Sequence, residues 1–104
     1  MADHAYMIAT IDIKDYQTYL EQYGMPVAEM FAEAGAEVLV ATEEADVLEG
    51  EWVGNWTVVV RLPSAEVAHQ LYDSEKYAPF KKARIEKLTH SSALAVFPEF
   101  KVSS

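Results

Sequence analysis

Apolar side chains recur at helical spacing through residues 16–34. At about 100° per residue they fall on one side of a helix, and the acidic and amide side chains between them point the other way. The apolar side consists of Tyr16, Tyr19, Leu20, Tyr23, Val27, Met30, Phe31 and Ala34. Gly24 and Pro26 interrupt this pattern, which predicts a kink, and Gly35 is a typical helix stop. The sequence therefore predicts one long amphipathic helix early in the chain.

Four segments have strand character. They span residues 4–13, 36–42, 56–62 and 91–97. Ser64 suits the N-cap of a second helix, which precedes the last strand. The order β-α-β-β-α-β predicts an α+β fold, a ferredoxin-like βαββαβ sandwich whose four-stranded antiparallel sheet carries both helices on one face.

The second helical region is interrupted by its own sequence. Residues 73–78 have turn character, and Pro79 lacks the N–H that a continuing helix would need. Proline does suit the first position of a new helix. We therefore expect the helix that Ser64 opens to end near Tyr72 and a further helical segment to begin at Pro79.

The open face of the predicted sheet is also apolar. Strands one, three and four carry apolar residues at both alternating positions, such as Ile8 beside Met7 and Val59 beside Val58. Two helices cover only one face, so the second face also needs burial. We therefore expect a homodimer in which two sheets pack face to face about a twofold axis.

Composition excludes several classes of protein. The chain has 104 residues, 51% of them hydrophobic, which predicts one domain with a core of residues 4–97 and a short tail of residues 98–104. Cysteine is absent, so thiol catalysis and disulfides are excluded. A net charge of −9 argues against nucleic-acid binding. No targeting segment is apparent, and no apolar run approaches the roughly 18 residues of a membrane span. We expect a cytoplasmic protein.

The histidines do not predict a metal site. His4 and His90 would lie near opposite ends of neighbouring antiparallel strands, some 20 Å apart at about 3.3 Å per residue. His69 falls on the polar side of a helix. Motifs for nucleophilic, phosphate-binding and dinucleotide-binding sites are also missing. We therefore expect neither a metal nor a cofactor.

Arg84 is the most informative charged residue. In a helix that begins at Pro79, Phe80, Arg84 and Leu88 form one row, which places the guanidinium within an apolar strip. A partly buried arginine needs an anion. The anion could be a carboxylate in a structural ion pair, from Glu49 or from the partner subunit. It could equally be a substrate carboxylate or enolate, which the planar guanidinium suits.

The tyrosines of the first helix also allow two interpretations. Their hydroxyl groups are expected to face the core, where each needs a hydrogen-bond partner. Such tyrosines are usually structural, but a group of phenols beneath a sheet can also line a small-molecule pocket.

Four segments together carry a resemblance to a known family. They are AYMIATIDIKDYQTYLEQY at 5–23, LEG at 48–50, VVVRLPSAEVA at 58–68 and YDSEKYAPFKKAR at 72–84. This pattern, which extends over nearly all of residues 5–97, resembles the DUF1330 family of small bacterial proteins. That family is part of the dimeric α/β-barrel superfamily, which includes antibiotic-biosynthesis-type monooxygenases. The resemblance thus also implies a ferredoxin-like subunit that dimerises sheet to sheet into a dimeric α/β barrel.

The resemblance indicates candidate site residues but does not indicate a reaction. Glu49, Tyr77 and Arg84 match the family pattern and are the candidate catalytic residues, while Tyr19, Tyr77 and Arg84 are the candidate ligand-binding residues. One hypothesis is a pocket between sheet and helices that binds or converts a small anionic or aromatic metabolite, with Glu49 as general base. The other is a non-catalytic dimeric binding or accessory protein in which Arg84 forms a structural ion pair.

Overall fold

The computed structural model describes residues 3–100, and its four strands form one antiparallel sheet. The strands are β1 (Ala5–Ile13), β2 (Glu37–Thr42), β3 (Trp56–Leu62) and β4 (Thr89–Pro98). Their order across the sheet is β2-β3-β1-β4. This order confirms the predicted α+β, ferredoxin-like architecture.

The first helix crosses the sheet as one continuous element in three parts. It is α-helical over Tyr16–Tyr19, π-helical over Leu20–Gly24 and α-helical again over Met25–Glu33. The N–H of Met25 bonds to the carbonyl of Leu20, five residues back. The predicted interruption at Gly24 and Pro26 therefore takes the form of a π-helical turn within a continuous helix.

The second helical region is divided as its sequence predicts. The second helix spans Ala65–Tyr72, and the side chain of Ser64 caps it by accepting the N–H of Val67 at 3.1 Å. The third helix is α-helical over Ala78–Ala83 and π-helical over Arg84–Leu88. In the turn between them, the N–H of Tyr77 bonds to the hydroxyl of Ser74 at 3.2 Å. Within residues 3–100 no helix is long and apolar enough to cross a membrane.

The core lies between the helices and one face of the sheet. Along β1 every second residue is buried, from Ala5 through Met7 to Ile13, whereas the residues between them are half-buried. On β3 the buried positions Trp56 and Val60 pair with this same face. The helices therefore cover one face only.

The opposite face is apolar across all four strands. Ile8 pairs with Val59 on β3 and with Ala95 on β4, and Val59 pairs with Val40 on β2. These four side chains form a row that no helix within residues 3–100 covers, because Met7 and its neighbours occupy the helix side.

The acidic first helix and the basic second half of the chain meet at the surface. Lys76 lies 3.5 Å from Glu33, and both side chains are about two-thirds exposed. An ion pair this exposed contributes little to stability.

Candidate functional site

Arg84 is buried although it is charged. It opens the π-helical turn of the third helix and is only 2% exposed. One terminal N–H group, at Nη1, donates to the hydroxyl of Ser92 on β4 at 2.5 Å. Its guanidinium carbon lies 5.6 Å from the centre of the Tyr23 ring. Its buried Nε–H has no hydrogen-bond partner among residues 3–100.

The positive charge of Arg84 is not neutralised within the described chain. Between residues 3 and 100, no carboxylate lies within ion-pairing distance of it. Burial alone would lower the pKa of Arg84. Electrostatic interaction with Tyr23 and Tyr77, together with a hydrogen bond to Tyr77, outweighs burial and raises the pKa. Burial raises the pKa of Tyr23 strongly, so this phenol stays neutral. The site therefore presents a cation beside neutral hydroxyl groups.

Tyr77 joins the turn before the third helix to the first helix. It is fully buried, and its hydroxyl lies 2.5 Å from the hydroxyl of Tyr23, within hydrogen-bond distance. The rings of Tyr23 and Tyr19 pack with centroids 5.3 Å apart. Burial also raises the pKa of Tyr19. Neutral phenols such as Tyr19 and Tyr23 can donate hydrogen bonds but are poor general bases.

An apolar cavity of about 260 Å³ lies between the first helix and the sheet. Its lining is aromatic and aliphatic and includes Met7, Tyr19, Tyr23, Phe31, Trp56 and Leu94. This apolar cavity opens beside β2, where Val38 is 45% exposed. Its shape and lining suit a flat or elongated apolar group.

A second cavity of about 320 Å³ lies at the start of β4 and is lined by polar and apolar groups in similar measure; it is called the polar cavity below. Its lining includes Arg84, Thr89, His90, Ser91, Ser92 and Leu94. Leu94 lines both cavities, and Tyr23 joins the lining of the apolar cavity to Arg84. The polar cavity and the apolar cavity are therefore separated by about one layer of side chains.

The structure divides the candidate residues into two groups. Tyr19, Tyr77 and Arg84 come together around Tyr23. Glu49 does not join them, because it is exposed in the loop of residues 43–55 and lies beside Leu48 and Trp52. Within the described chain, the structural pair of Glu49 with Arg84 does not form.

One expectation about a neighbouring residue is corrected, and one contact was not predicted. Tyr16 has the spacing of a core residue but is 47% exposed, because it stands in the first turn of the helix and packs edge-on against Trp56. Ser92 was missed, although it bonds to Arg84. Its only signal in the sequence is the pair of serines that opens the last predicted strand.

The histidines lie apart. His4 is 3.9 Å from Glu99 at the end of β1, whereas His90 lies at the other end, where Thr89 pairs with Ile13. In the part of the chain that the structure describes, no three His, Asp or Glu side chains are grouped as a metal site.

The strand topology defines the fold of the chain, and the sequence defines its family. The fold is that of the ferredoxin-like α+β proteins. Residues 4–97 match the model of a domain of unknown function, DUF1330, and the chain belongs to this family. No curated protein matches the chain in sequence.

Solved structures share this fold at low sequence identity. The RPA0582 protein of unknown function from Rhodopseudomonas palustris has a TM-score of 0.76 and 14% identity, over 98% of this chain and 86% of its own. A putative antibiotic biosynthesis monooxygenase from Bacteriodes thetaiotaomicron has a TM-score of 0.53 and 14% identity, over 97% and 91%. A nipsnap family protein with unknown function from Agrobacterium tumefaciens has a TM-score of 0.51 and 17% identity, over 97% and 92%. At these identities the likeness concerns the fold alone.

Proposed function

We propose that the chain binds a small anionic or aromatic molecule between its sheet and its helices, with Arg84 as the counter-charge. The observation that carries this proposal is the buried guanidinium, 2% exposed, without a carboxylate partner in the described chain. A buried charge is strongly unfavourable unless an opposite charge and hydrogen bonds compensate it. A bound anion would supply both.

Tyr19 and Tyr77 orient the ligand in this proposal. Tyr19 lines the apolar cavity, and Tyr77 fixes the Tyr23 ring that lies against Arg84. Neutral phenols favour binding and orientation over proton abstraction. Glu49, the candidate base, is exposed on a separate loop. We therefore propose a binding function for this site, without a catalytic step.

Thermal-shift measurements with small carboxylates and phenols test this function. A ligand at about 100 times its Kd stabilises the folded state by about 2.7 kcal/mol. We expect such a shift in the wild type and its loss in Arg84→Met. Lys76→Met is the control, because it removes a positive charge from an exposed side chain that pairs with Glu33. Equal shifts in both variants, or no shift in the wild type, would refute the proposal.

We also infer that the protein is a homodimer joined through the open face of the sheet. The row of Val40, Val59, Ile8 and Ala95 supports this inference, and Phe97 at the edge strand is 46% exposed. Burial of such a surface stabilises association at roughly 25 cal/mol per Å² before the entropic cost.

Light scattering at micromolar concentration tests the assembly. We expect the mass of a dimer for the wild type and of a monomer for Val59→Lys, which places a charge in the centre of the row. Val53→Lys, on an exposed loop position, is the control. A monomeric wild type would overturn the dimer. A structure of the dimer in which a partner carboxylate neutralises Arg84 would favour the structural role of Arg84 instead.

A further inference from the structure

We infer that the ligand is an apolar monocarboxylate, whose carboxylate occupies the polar cavity at Arg84 and whose apolar body passes Leu94 into the apolar cavity. This inference rests on the proposed function and narrows it to one ligand class. In this inference the polar cavity and the apolar cavity are two parts of one ligand-binding site.

The carboxylate position follows from the hydrogen bonds of Arg84. Ser92 accepts a hydrogen bond from Nη1, and Tyr77 also hydrogen-bonds to the guanidinium, whereas the buried Nε–H has no partner among the described residues. In a guanidinium group, the Nε–H lies parallel to an N–H of the other terminal nitrogen, and this pair matches the two oxygens of a carboxylate. The orphaned Nε–H therefore marks the edge at which a planar anion can bind.

Ser92 adds a donor to the same position. Its hydroxyl accepts the hydrogen bond from Arg84, so its own proton remains available to an anion. Ser91 and His90 line the same polar cavity. An oxyanion there meets a guanidinium and several neutral polar groups.

The charge of the site favours a monoanion. Arg84 is the permanent cation among the described residues that line the polar cavity, and the chain as a whole carries a net charge of −9. One guanidinium balances one carboxylate, whereas a phosphate dianion would leave a second negative charge without a cation beside it.

The apolar part of the ligand follows from the second cavity. Its volume of about 260 Å³ exceeds the about 150 Å³ of an apolar cavity that holds benzene. Leu94 lines both cavities, and the Tyr23 ring connects the apolar lining to Arg84. A ring on a short chain can therefore span the two parts.

A series of acids tests this inference on the full-length protein. Binding is measured by calorimetry for acetate, phenylacetate, phenylpropionate and phenylbutyrate, together with phosphate and neutral phenol. We expect one of the aryl acids to bind about ten- to hundredfold more tightly than acetate, because its ring is buried. Phosphate and phenol should bind more weakly than that acid.

The Leu94→Phe variant tests whether the two cavities contribute separately to binding. The Leu94 side chain lies between the two cavities, so an aryl acid that spans them must displace it. The larger Phe ring should therefore remove the advantage of the aryl acids while acetate binding is retained. Arg84→Lys keeps a positive charge but removes the paired N–H groups, and should weaken every acid. Circular dichroism and melting curves verify that both variants are folded.

The outcomes distinguish the inference from the proposed function. Arg84-dependent binding of acetate equal to that of the aryl acids would overturn the two-part site but keep the proposed function. Tighter binding of phosphate would overturn the carboxylate class. Binding of phenol equal to that of the acids would overturn the need for an anion. If no acid binds in a manner that depends on Arg84, the proposed function itself fails.

Discussion

The hydroxyl pair of Tyr23 and Tyr77 gives a sharp energetic prediction. The two oxygens lie 2.5 Å apart, and Tyr23 is 7% and Tyr77 0% exposed. A Phe substitution at either position removes one hydroxyl and deprives the other, which stays buried, of its bond within the pair. Tyr77→Phe also removes the hydrogen bond between Tyr77 and Arg84. The loss of one partner of a buried pair costs about 1–3 kcal/mol, whereas replacement of both by apolar groups of similar shape is nearly neutral.

We therefore expect Tyr23→Phe and Tyr77→Phe each to destabilise the protein by about 1–3 kcal/mol and the double variant to be less destabilised than their sum. For a chain of this size, 1 kcal/mol corresponds to roughly 4–8 °C in Tm.

Urea unfolding of the wild type, both single variants and the double variant forms a complete cycle, with Tyr16→Phe as control because Tyr16 is half exposed. Strictly additive losses would show that the two hydroxyls do not depend on each other, and the hydrogen bond that organises the site would be disproved.

Three further predictions concern pH and local structure. Burial raises the pKa of Tyr19 above its usual value of 10.0, so its contribution to stability is full below about pH 10 and lost above it. The tyrosinate absorbance of Tyr19, taken as the difference between the wild type and Tyr19→Phe, should therefore change together with circular dichroism in alkali; its appearance without unfolding would contradict this. Gly54→Ala should cost more than about 1 kcal/mol, because φ is 82° and the added Cβ would lie 2.6 Å from the Ile11 carbonyl oxygen. Gly50→Ala, with an equally positive φ but open space, should cost less in the same denaturant titration. Ser64→Ala removes a helix cap and should lower the free energy of unfolding by about 1 kcal/mol; an unchanged midpoint would contradict the cap.

The fold could be predicted because its signals are local and agree with one another. The alternation of residues 56–62 gives the strand bounds that the structure has, and Ser64 caps the helix that follows. Strand bounds, caps and proline positions depend on neighbours in sequence. The burial of Arg84 was also predictable, since Phe80 and Leu88 lie on the same side of the third helix.

The hydrogen bonds of the site could not be predicted in the same way. Ser92 meets Arg84 because β4 returns beside the end of the third helix, and a serine leaves no periodic signal of that contact. Glu49 stands beside a glycine in a long loop, and sequence spacing does not determine where such a loop lies. The helical spacing also gives no sign that Tyr16 is exposed, because the exposure results from its position in the first turn of the helix.

The two π-helical turns connect the fold to the proposed site. Tyr23 lies within the π-helical turn Leu20–Gly24, and Arg84 opens the other one. A π-helical turn inserts one residue into the α-helical register, so it changes the direction of the side chains that follow relative to those before it. An uninterrupted α-helix would give Tyr19 and Tyr23 a different angular relation to Val27. Each turn weakens the regular hydrogen bonding of a helix, and both occur where the Tyr23 ring meets the buried guanidinium. The two π-helical turns therefore set the angle at which the Tyr23 ring approaches the buried guanidinium, and this arrangement follows from irregularities within both helices.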